Sequence, residues 1–478
     1  MEIDINEKRE KAKIRFTFFL LGIILSLPAN SMVTVSFLIN GIYQEELFHT
    51  IMGIFTAFMI ISSFFQLTFE SISFNSIVFC SIIKVIAFLF FLICVCVLNF
   101  FKYYLYIASS ILGLLVGYLY SACTKYSILL NMNVNSHLLT GLCMSGFVFF
   151  FVNLFFSYFT IENGVVETYF STIKLSFSCF IISDILFILY IIYVEFTSVY
   201  FKNAKKKVEG YQSNEKKNTD DDVNLCAIEH GDGGVQKCTN TNTIVNTVIS
   251  KTMTDEAIAD ATSVDIKNCK NNNIHLNISK KKKKHIIYIL KNKIINIKKK
   301  FNFSNLILGA KLIKYYYVCF IPITLTMFIS YVIFPHLLPN MLEKTEYEKY
   351  FMTFLFQLSN VSFSMLMSSQ MEKLNFVKQE YILFVSVLRI LIIWLSYVIV
   401  KSNPTSFIHS NIFTSLIILL VGISNSIIRT ISFTRIRNCF EDNSKKDQYI
   451  SVSSSFCAFS YLVSYALAPW FIYIIKVM

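Results

Sequence analysis

The sequence predicts an all-α polytopic membrane protein with eleven transmembrane helices, and three features predict this fold. Hydrophobic residues make up 55% of the 478 residues and charged residues only 15%, whereas a soluble domain carries about 25% charged residues. Aromatic residues make up 16%, with 48 Phe and 26 Tyr, which is more apolar surface than a soluble core of this length buries. The third feature is a series of apolar stretches long enough to cross a bilayer.

Each predicted span contains about 20 mostly apolar residues, the length a helix needs to cross a hydrocarbon core about 30 Å thick. A helix also satisfies its backbone polar groups within the segment, as hydrocarbon requires. Six spans precede a long polar segment and five follow it, at 16–40, 48–69, 76–99, 103–129, 137–158, 168–199, 314–336, 349–370, 378–400, 408–432 and 450–475.

The N-terminal segment 1–15 is polar and basic, and we predict that it is cytoplasmic. We expect no cleavable signal, because the apolar stretch after it is long enough to span the bilayer and remain as an anchor. The loop between the tenth and eleventh spans carries Arg435, Arg437, Lys445 and Lys446, and short loops rich in such residues stay in the cytoplasm. With eleven spans, the C-terminus is then outside.

Residues 200–313 are dominated by Lys, Asn, Asp and Thr, a composition typical of a disordered cytoplasmic loop. Lysines interleaved with isoleucines at 280–300 allow two readings, a solvated basic run that fixes topology or an amphipathic helix on anionic lipid. The net charge of +13 resides largely in segments between spans. It therefore indicates topology rather than a nucleic-acid partner.

Pro28 lies inside the first span, followed closely by Asn30. A proline there removes one backbone donor and leaves the Ile24 carbonyl without its usual partner, so a kink is expected. Asn30 is available either to line a cavity or to tie two helices together. Both interpretations remain open from the sequence.

Arg389 lies near the middle of the ninth span, where a charge costs at least about 2.5 kcal/mol, so it should face the protein interior. Asp184 is similarly central in the sixth span. It can pair with Arg389, hold a proton for coupled transport, or be neutral and hydrogen-bonded. Four other charged residues are nearer the predicted cytoplasmic ends, where long side chains reach the lipid headgroups: Lys84, Lys125, Glu195 and Arg429.

Gly141 and Gly146 lie among small residues in the fifth span, a composition that lets helix backbones approach closely. The twelve cysteines are scattered singly, without the spacing of a metal site. Sequence motifs for ATP binding, metalloproteolysis or a serine nucleophile do not occur either. We therefore expect neither an enzyme nor a bound cofactor or metal.

Four short segments, in the expected helices and order, resemble those of the equilibrative nucleoside transporter family. The segment 27–30 (LPAN) resembles the LPWN element of its first helix, and 140–146 its glycine-rich fifth helix. The segment 388–391 resembles its ninth-helix arginine segment, and 424–426 the SNG of its tenth helix. The six-plus-five arrangement around a long loop is also similar, and the composition resembles that of parasitic protist members.

The chain departs from the family pattern at several of these positions. The first-helix Trp is Ala29, and the fourth-helix Gln appears as Tyr120. The family's eighth-helix Asp and Arg, which it uses for substrate binding, fall on Asn360 and Ser364, and the last residue of SNG is Ser426.

The resemblance implies a major-facilitator-like fold in which a six-helix and a five-helix bundle rock around a central site. It implies a plasma-membrane carrier, expected to be monomeric, that moves nucleosides or nucleobases. We expect the substrate to contact five residues: Asn30, Tyr120, Asn360, Ser364 and Arg389. Asp184 is the candidate for coupling, and Pro28, Gly141, Gly146 and Asn425 are expected to be structural.

Two other functions remain open on the sequence. One is a major-facilitator carrier for another small polar solute, such as a sugar, an amino acid or a drug. The other is a non-transporting membrane scaffold whose 200–313 loop binds partners.

Overall fold

The computed structural model describes most of the membrane portion of the chain. The described residues are 2–34, 47–68, 73–97, 102–130, 133–160, 165–209, 304–338, 342, 346–371, 373, 377–403, 405–441 and 445–477. Residues 210–303 of the predicted loop, including the lysine-rich run, lie outside them.

The described residues form eleven long helices, each long and apolar enough to cross a membrane. They are α1 (Glu2–Thr34), α2 (Leu47–Thr68), α3 (Phe74–Val97), α4 (Lys102–Leu129), α5 (Val134–Thr160), α6 (Val165–Thr197), α7 (Ser304–Tyr331), α8 (Glu346–Gln370), α9 (Gln379–Leu388 and Ile390–Lys401), α10 (Asn411–Arg435) and α11 (Lys446–Val477). The chain is an all-α polytopic membrane protein, and the predicted fold class is confirmed.

Several helical boundaries differ from the predicted span limits. Helix α1 begins at Glu2, within the predicted N-terminal segment, because pairs such as Lys11–Glu7 (2.7 Å) stabilise a charged helix beyond the apolar stretch. Residues 200–209, assigned from sequence to the loop, are also helical. Phe201 of this segment is buried against the Phe74 ring at 4.8 Å between centroids, so it packs on the bundle rather than continuing the linker.

The outward faces of the helices are apolar, as lipid requires. On α3 the exposed large side chains recur every three or four residues, at Phe79, Ile82, Ile86, Leu89 and Ile93, which is one face of a helix. The opposite face buries Ser81 and Lys84. The polar groups of this span therefore point into the protein.

In the first bundle, α1 packs along α5 and α2 along α4, with α3 and α6 completing the group. Glycine allows the closest of these contacts. A Cβ atom at Gly22 of α1 would lie 2.1 Å from the Leu138 carbonyl oxygen, and one at Gly141 of α5 would lie 2.0 Å from the Phe19 carbonyl oxygen. Helix α2 is joined to α4 by a 2.5 Å contact between the Ser63 and Ser121 hydroxyls.

In the second bundle, α7 packs on α9, α10 and α11, and α8 packs on α10. Helix α9 is interrupted at Arg389, which separates its two segments. A π-helical turn, Val332–Leu337, continues α7 and contains Phe334 in an extended conformation. Its ring stacks on Phe356 of α8 at 4.3 Å, so this turn is anchored to the neighbouring helix.

The two bundles meet along two seams. At one seam α5 packs against α8, and at the other α2 and α4 pack against α11. Rings meet at both, as in Phe150 with Phe354 (5.8 Å) and Phe64 with Phe459 (5.9 Å). Helix α10 also packs against α5 of the first bundle, and this smaller contact contains Arg429.

Candidate functional site

A buried ion pair joins α3 and α6 within the first bundle. The Lys84 Nζ lies 2.5 Å from Asp184 Oδ2, and neither side chain has any solvent exposure. Lys84 therefore does not reach the headgroups, and the alternative that Asp184 pairs with Arg389 is also wrong. Both expectations fail for the same reason. Lys84 lies on the inward face of α3, and Asp184 of α6 lies opposite it.

Pro28 is connected to this pair through the backbone of α1. Lys84 Nζ also donates to the Ile24 carbonyl at 2.7 Å, the group whose helical donor is missing because residue 28 is a proline. The freed carbonyl thus accepts a bond from a charged side chain of another helix. Asp184 Oδ1 makes no hydrogen bond, although it is fully buried, so the carboxylate has one unused acceptor.

Arg389 is buried in the second bundle, as predicted from its depth in the span. Its guanidinium donates to the Ser330 hydroxyl at 2.8 Å and more weakly to two carbonyl oxygens, of Thr326 (3.4 Å) and Val421 (3.3 Å). All three partners belong to α7 and α10 of the same bundle. Arg389 is therefore hydrogen-bonded between helices of the second bundle.

Asn360 of α8 is bonded to the tenth-helix motif. Its side-chain oxygen accepts a hydrogen bond from Asn425 at 3.1 Å and another from the Ser426 hydroxyl. Ser426 also donates to the Asn360 carbonyl. The position of the family's eighth-helix Asp is therefore in direct contact with the tenth-helix segment within the second bundle.

Ser364 and Asn30 lie on opposite sides of α5. The Ser364 hydroxyl of α8 is 3.1 Å from Thr140 Oγ1, which makes it part of the seam between the bundles. The Asn30 amide donates to Ser145 at 2.5 Å, joining α1 to α5 within the first bundle. Gly146 faces α8, and a Cβ there would lie 2.6 Å from Gln357 Oε1.

Tyr120 of α4 stacks on Tyr461 of α11 across the second seam, with centroids 5.2 Å apart and rings inclined by 14°. The Tyr461 hydroxyl accepts a hydrogen bond from Arg429 Nη1 at 3.1 Å. Arg429 Nη2 contacts the Leu139 carbonyl at 3.4 Å and the Cys143 thiol, both on α5. Arg429 thus connects the α5–α10 contact to the second seam through the Tyr461 hydroxyl.

Sequence reasoning missed Arg429 as a site residue, and its predicted headgroup position is wrong because it is buried. The tenth span was predicted to end at 432, whereas the apolar helical span extends through Cys439. This extension moves Arg429 away from the end of the span. Lys125, assigned to the same headgroup position, is buried too. Depth measured from the true helix end is the signal that would have found Arg429, whereas the helix of Lys125 ends at Leu129 as predicted.

The structure distributes the five predicted substrate contacts over four places rather than one. Tyr120 lies beside the Arg429 contact, and Ser364 lies on the seam between α5 and α8. Asn360 and Arg389 are bonded inside the second bundle, and Asn30 inside the first. Among the described residues, no three His, Cys, Asp or Glu side chains are grouped so as to hold a metal ion.

The two-bundle arrangement is similar in fold to solved structures of major facilitator superfamily transporters. One similar structure is the proton:xylose symporter XylE bound to 6-bromo-6-deoxy-D-glucose, with a TM-score of 0.59 and 10% identity over 98% of this chain and 90% of that chain. Another is the xylose transporter XylE from E. coli in a partially occluded inward-open conformation, with a TM-score of 0.54 and 12% identity over 97% and 91%. No protein-family model and no curated protein matches the chain.

Proposed function

We propose that the protein is a membrane transporter that moves nucleosides or nucleobases by alternating access. We also propose that it lies in the plasma membrane, with its N-terminus in the cytoplasm. The observation that carries the proposal is the Arg429 contact. A buried cation is hydrogen-bonded across the junction of two bundles and has no carboxylate partner among the described residues. Charges inside membrane proteins mark substrate or ion pathways, because burying them is otherwise unfavourable.

The contacts at the seams favour a rocking motion. Within a bundle, backbones touch at glycine, as at Gly22 and Gly141, and such packing does not rearrange without clashes. Between bundles the described polar contacts include the neutral Thr140–Ser364 pair, Arg437 with the Leu129 carbonyl at 3.5 Å, and Arg429 with α5. A neutral hydrogen bond contributes about 0.5–1.5 kcal/mol and one from a charged group about 1.5–3 kcal/mol. Separation of the bundles therefore costs least at the neutral pair and most at Arg429.

The nucleoside assignment rests on the family resemblance and on the chemistry of the proposed contacts. Asn30, Tyr120, Asn360, Ser364 and Arg389 offer amide, hydroxyl, aromatic and guanidinium groups, which suit a base and a ribose. The Asn360–Asn425 hydrogen bond joins one proposed substrate contact to the tenth-helix segment. Substrate access to Asn360 or Arg389 requires a rearrangement within the second bundle, since both are hydrogen-bonded there.

A carrier for another small polar solute is the second candidate, favoured by the structural similarity to a xylose transporter. An uptake panel separates the two. Purified protein in liposomes is expected to move labelled nucleosides or nucleobases in a saturable manner, and unlabelled xylose is expected not to compete.

The control is Phe79→Leu, on the lipid face, which is expected to retain uptake. Competition by xylose without uptake of any nucleoside or nucleobase would favour the second candidate. Transport of no solute by protein that remains folded would favour a scaffold.

A further inference from the structure

We propose that Arg429, flanked by the Tyr120–Tyr461 ring pair, recognises the base of the transported solute and selects purines with a 6-oxo group over those with a 6-amino group. The inference rests on the proposed function and narrows its substrate class. Arg429 lies outside the segments that resemble the transporter family.

The guanidinium of Arg429 is fully buried but incompletely satisfied. It has five N–H donors, and its acceptors are the Tyr461 hydroxyl, the Leu139 carbonyl and the Cys143 thiol. Its Nε atom is buried without a hydrogen-bond partner. A thiol is a weak acceptor, so a carbonyl oxygen or ring nitrogen from a solute would bind this cation better than the protein does in this conformation.

The location of these acceptors couples the cation to the motion of the bundles. Leu139 and Cys143 are on α5 of the first bundle, whereas Arg429 and Tyr461 are on α10 and α11 of the second. When the bundles separate, Arg429 loses the two α5 partners. The Tyr461 hydroxyl then remains as its acceptor, and a cation that loses most of its partners is destabilised. A solute that supplies acceptors while the bundles are separated therefore stabilises that state.

The neighbouring rings indicate the shape of the solute. Tyr120 and Tyr461 stack across the same seam, and Phe433 packs at the edge of Tyr461 with centroids 6.1 Å apart. The Tyr120 hydroxyl is buried and makes no hydrogen bond of good geometry. A planar heteroaromatic ring can stack on such a surface while a hydroxyl and a guanidinium bind its polar edge.

The donor pattern of arginine decides between purines. A guanidinium pairs in a bidentate manner with the O6 and N7 acceptors of a 6-oxopurine, whereas a 6-aminopurine presents a donor beside N7. A bidentate pair of this type discriminates between bases by about 5- to 150-fold. Glutamine has the opposite preference, because its amide pairs with the N6 donor and N7 acceptor of adenine.

Uptake of hypoxanthine and adenine by the full-length protein in liposomes tests this assignment. The wild type is expected to prefer hypoxanthine about tenfold or more in kcat/KM. Arg429→Gln is expected to reverse the preference. Arg429→Lys keeps the charge but cannot donate two parallel hydrogen bonds, so it is expected to reduce the preference severalfold. The matched control is Arg435→Lys. Arg435 is also a buried arginine of α10, but it donates to the Val377 carbonyl of its own bundle, so the hypoxanthine-to-adenine ratio should not change.

Ligand-induced shifts of the unfolding temperature provide a measurement that does not need transport. Hypoxanthine should raise Tm more than adenine does for the wild type, and the order should reverse in Arg429→Gln. Equal preference in the wild type, or an unchanged ratio in both Arg429 variants, overturns the inference while leaving a nucleobase carrier intact. Absence of uptake and of Tm shifts with every base and nucleoside instead overturns the proposed function.

Discussion

The Lys84 ammonium and the Asp184 carboxylate form a fully buried ion pair, 2.5 Å apart, between α3 and α6. The ammonium also donates to the Ile24 carbonyl, next to the break that Pro28 makes in α1. Three helices of the first bundle therefore meet at one charged contact. Its energetic consequences can be measured by removing each charge separately.

We expect Lys84→Met and Asp184→Asn each to destabilise the protein by about 3–5 kcal/mol, because each leaves a buried charge without its partner. The double variant should recover much of this loss, since it leaves no uncompensated charge. Thermal unfolding in detergent measures all three. Single variants that unfold at the wild-type temperature would show that the pair contributes nothing to stability.

The same double variant tests the coupling role proposed for Asp184. If this carboxylate carries a proton during transport, an inward proton gradient should drive uptake above equilibrium in the wild type and not in Lys84→Met/Asp184→Asn. Exchange of solute without a gradient should persist in both. Gradient-driven accumulation that survives in the double variant removes Asp184 from coupling.

The contact of α1 with α5 predicts a sharp difference between glycines. Gly22→Ala and Gly141→Ala each place a Cβ within about 2.1 Å of a backbone oxygen, and overpacking of this kind costs about 1–3 kcal/mol. Gly53→Ala is the matched control, since a Cβ there meets nothing within 4 Å. The unfolding temperature should fall for the first two variants and stay unchanged or rise for the control, because alanine is the better helix former.

Disulfide cross-links distinguish motion between bundles from motion within one. Thr140→Cys/Ser364→Cys joins α5 to α8 across the seam, at hydroxyls 3.1 Å apart, and its oxidation should stop uptake until a reductant is added. Ser63→Cys/Ser121→Cys joins α2 to α4 inside the first bundle. Oxidation of this control pair should leave uptake intact, and equal inhibition by both cross-links would contradict a rocking mechanism.

Arg389 is expected to matter for transport even though its partners lie within one bundle. Arg389→Ala should reduce uptake while the protein still reaches the membrane, and Ser330→Ala, which removes its 2.8 Å acceptor, should reduce uptake less. Uptake is compared after normalising for surface protein. Unchanged uptake of every accepted solute by Arg389→Ala removes this residue from the mechanism.

The fold class was predictable because the membrane imposes local rules. A span must be about 20 residues long and apolar, so composition alone revealed all eleven helices of the described chain. The burial of Arg389 followed from its depth in the ninth span by the same reasoning. The start of α1 at Glu2 was missed, since a helix continues outside the bilayer wherever charge pairs support it.

The partners of the buried polar groups could not be predicted, because they depend on which helices become neighbours. Lys84 and Asp184 are 100 residues apart in the chain, and Arg429 bonds to a carbonyl 290 residues away. Nothing in either local segment specifies these pairings.

The sequence by itself determined that this chain is a bundle of membrane helices with a few charges inside, since hydropathy and helix length are properties of each segment. Only the tertiary structure decided which charge is neutralised by a carboxylate and which is not. The physical reason is that a desolvated charge is stabilised by whatever group lies within a few ångströms, and packing of distant helices sets that distance.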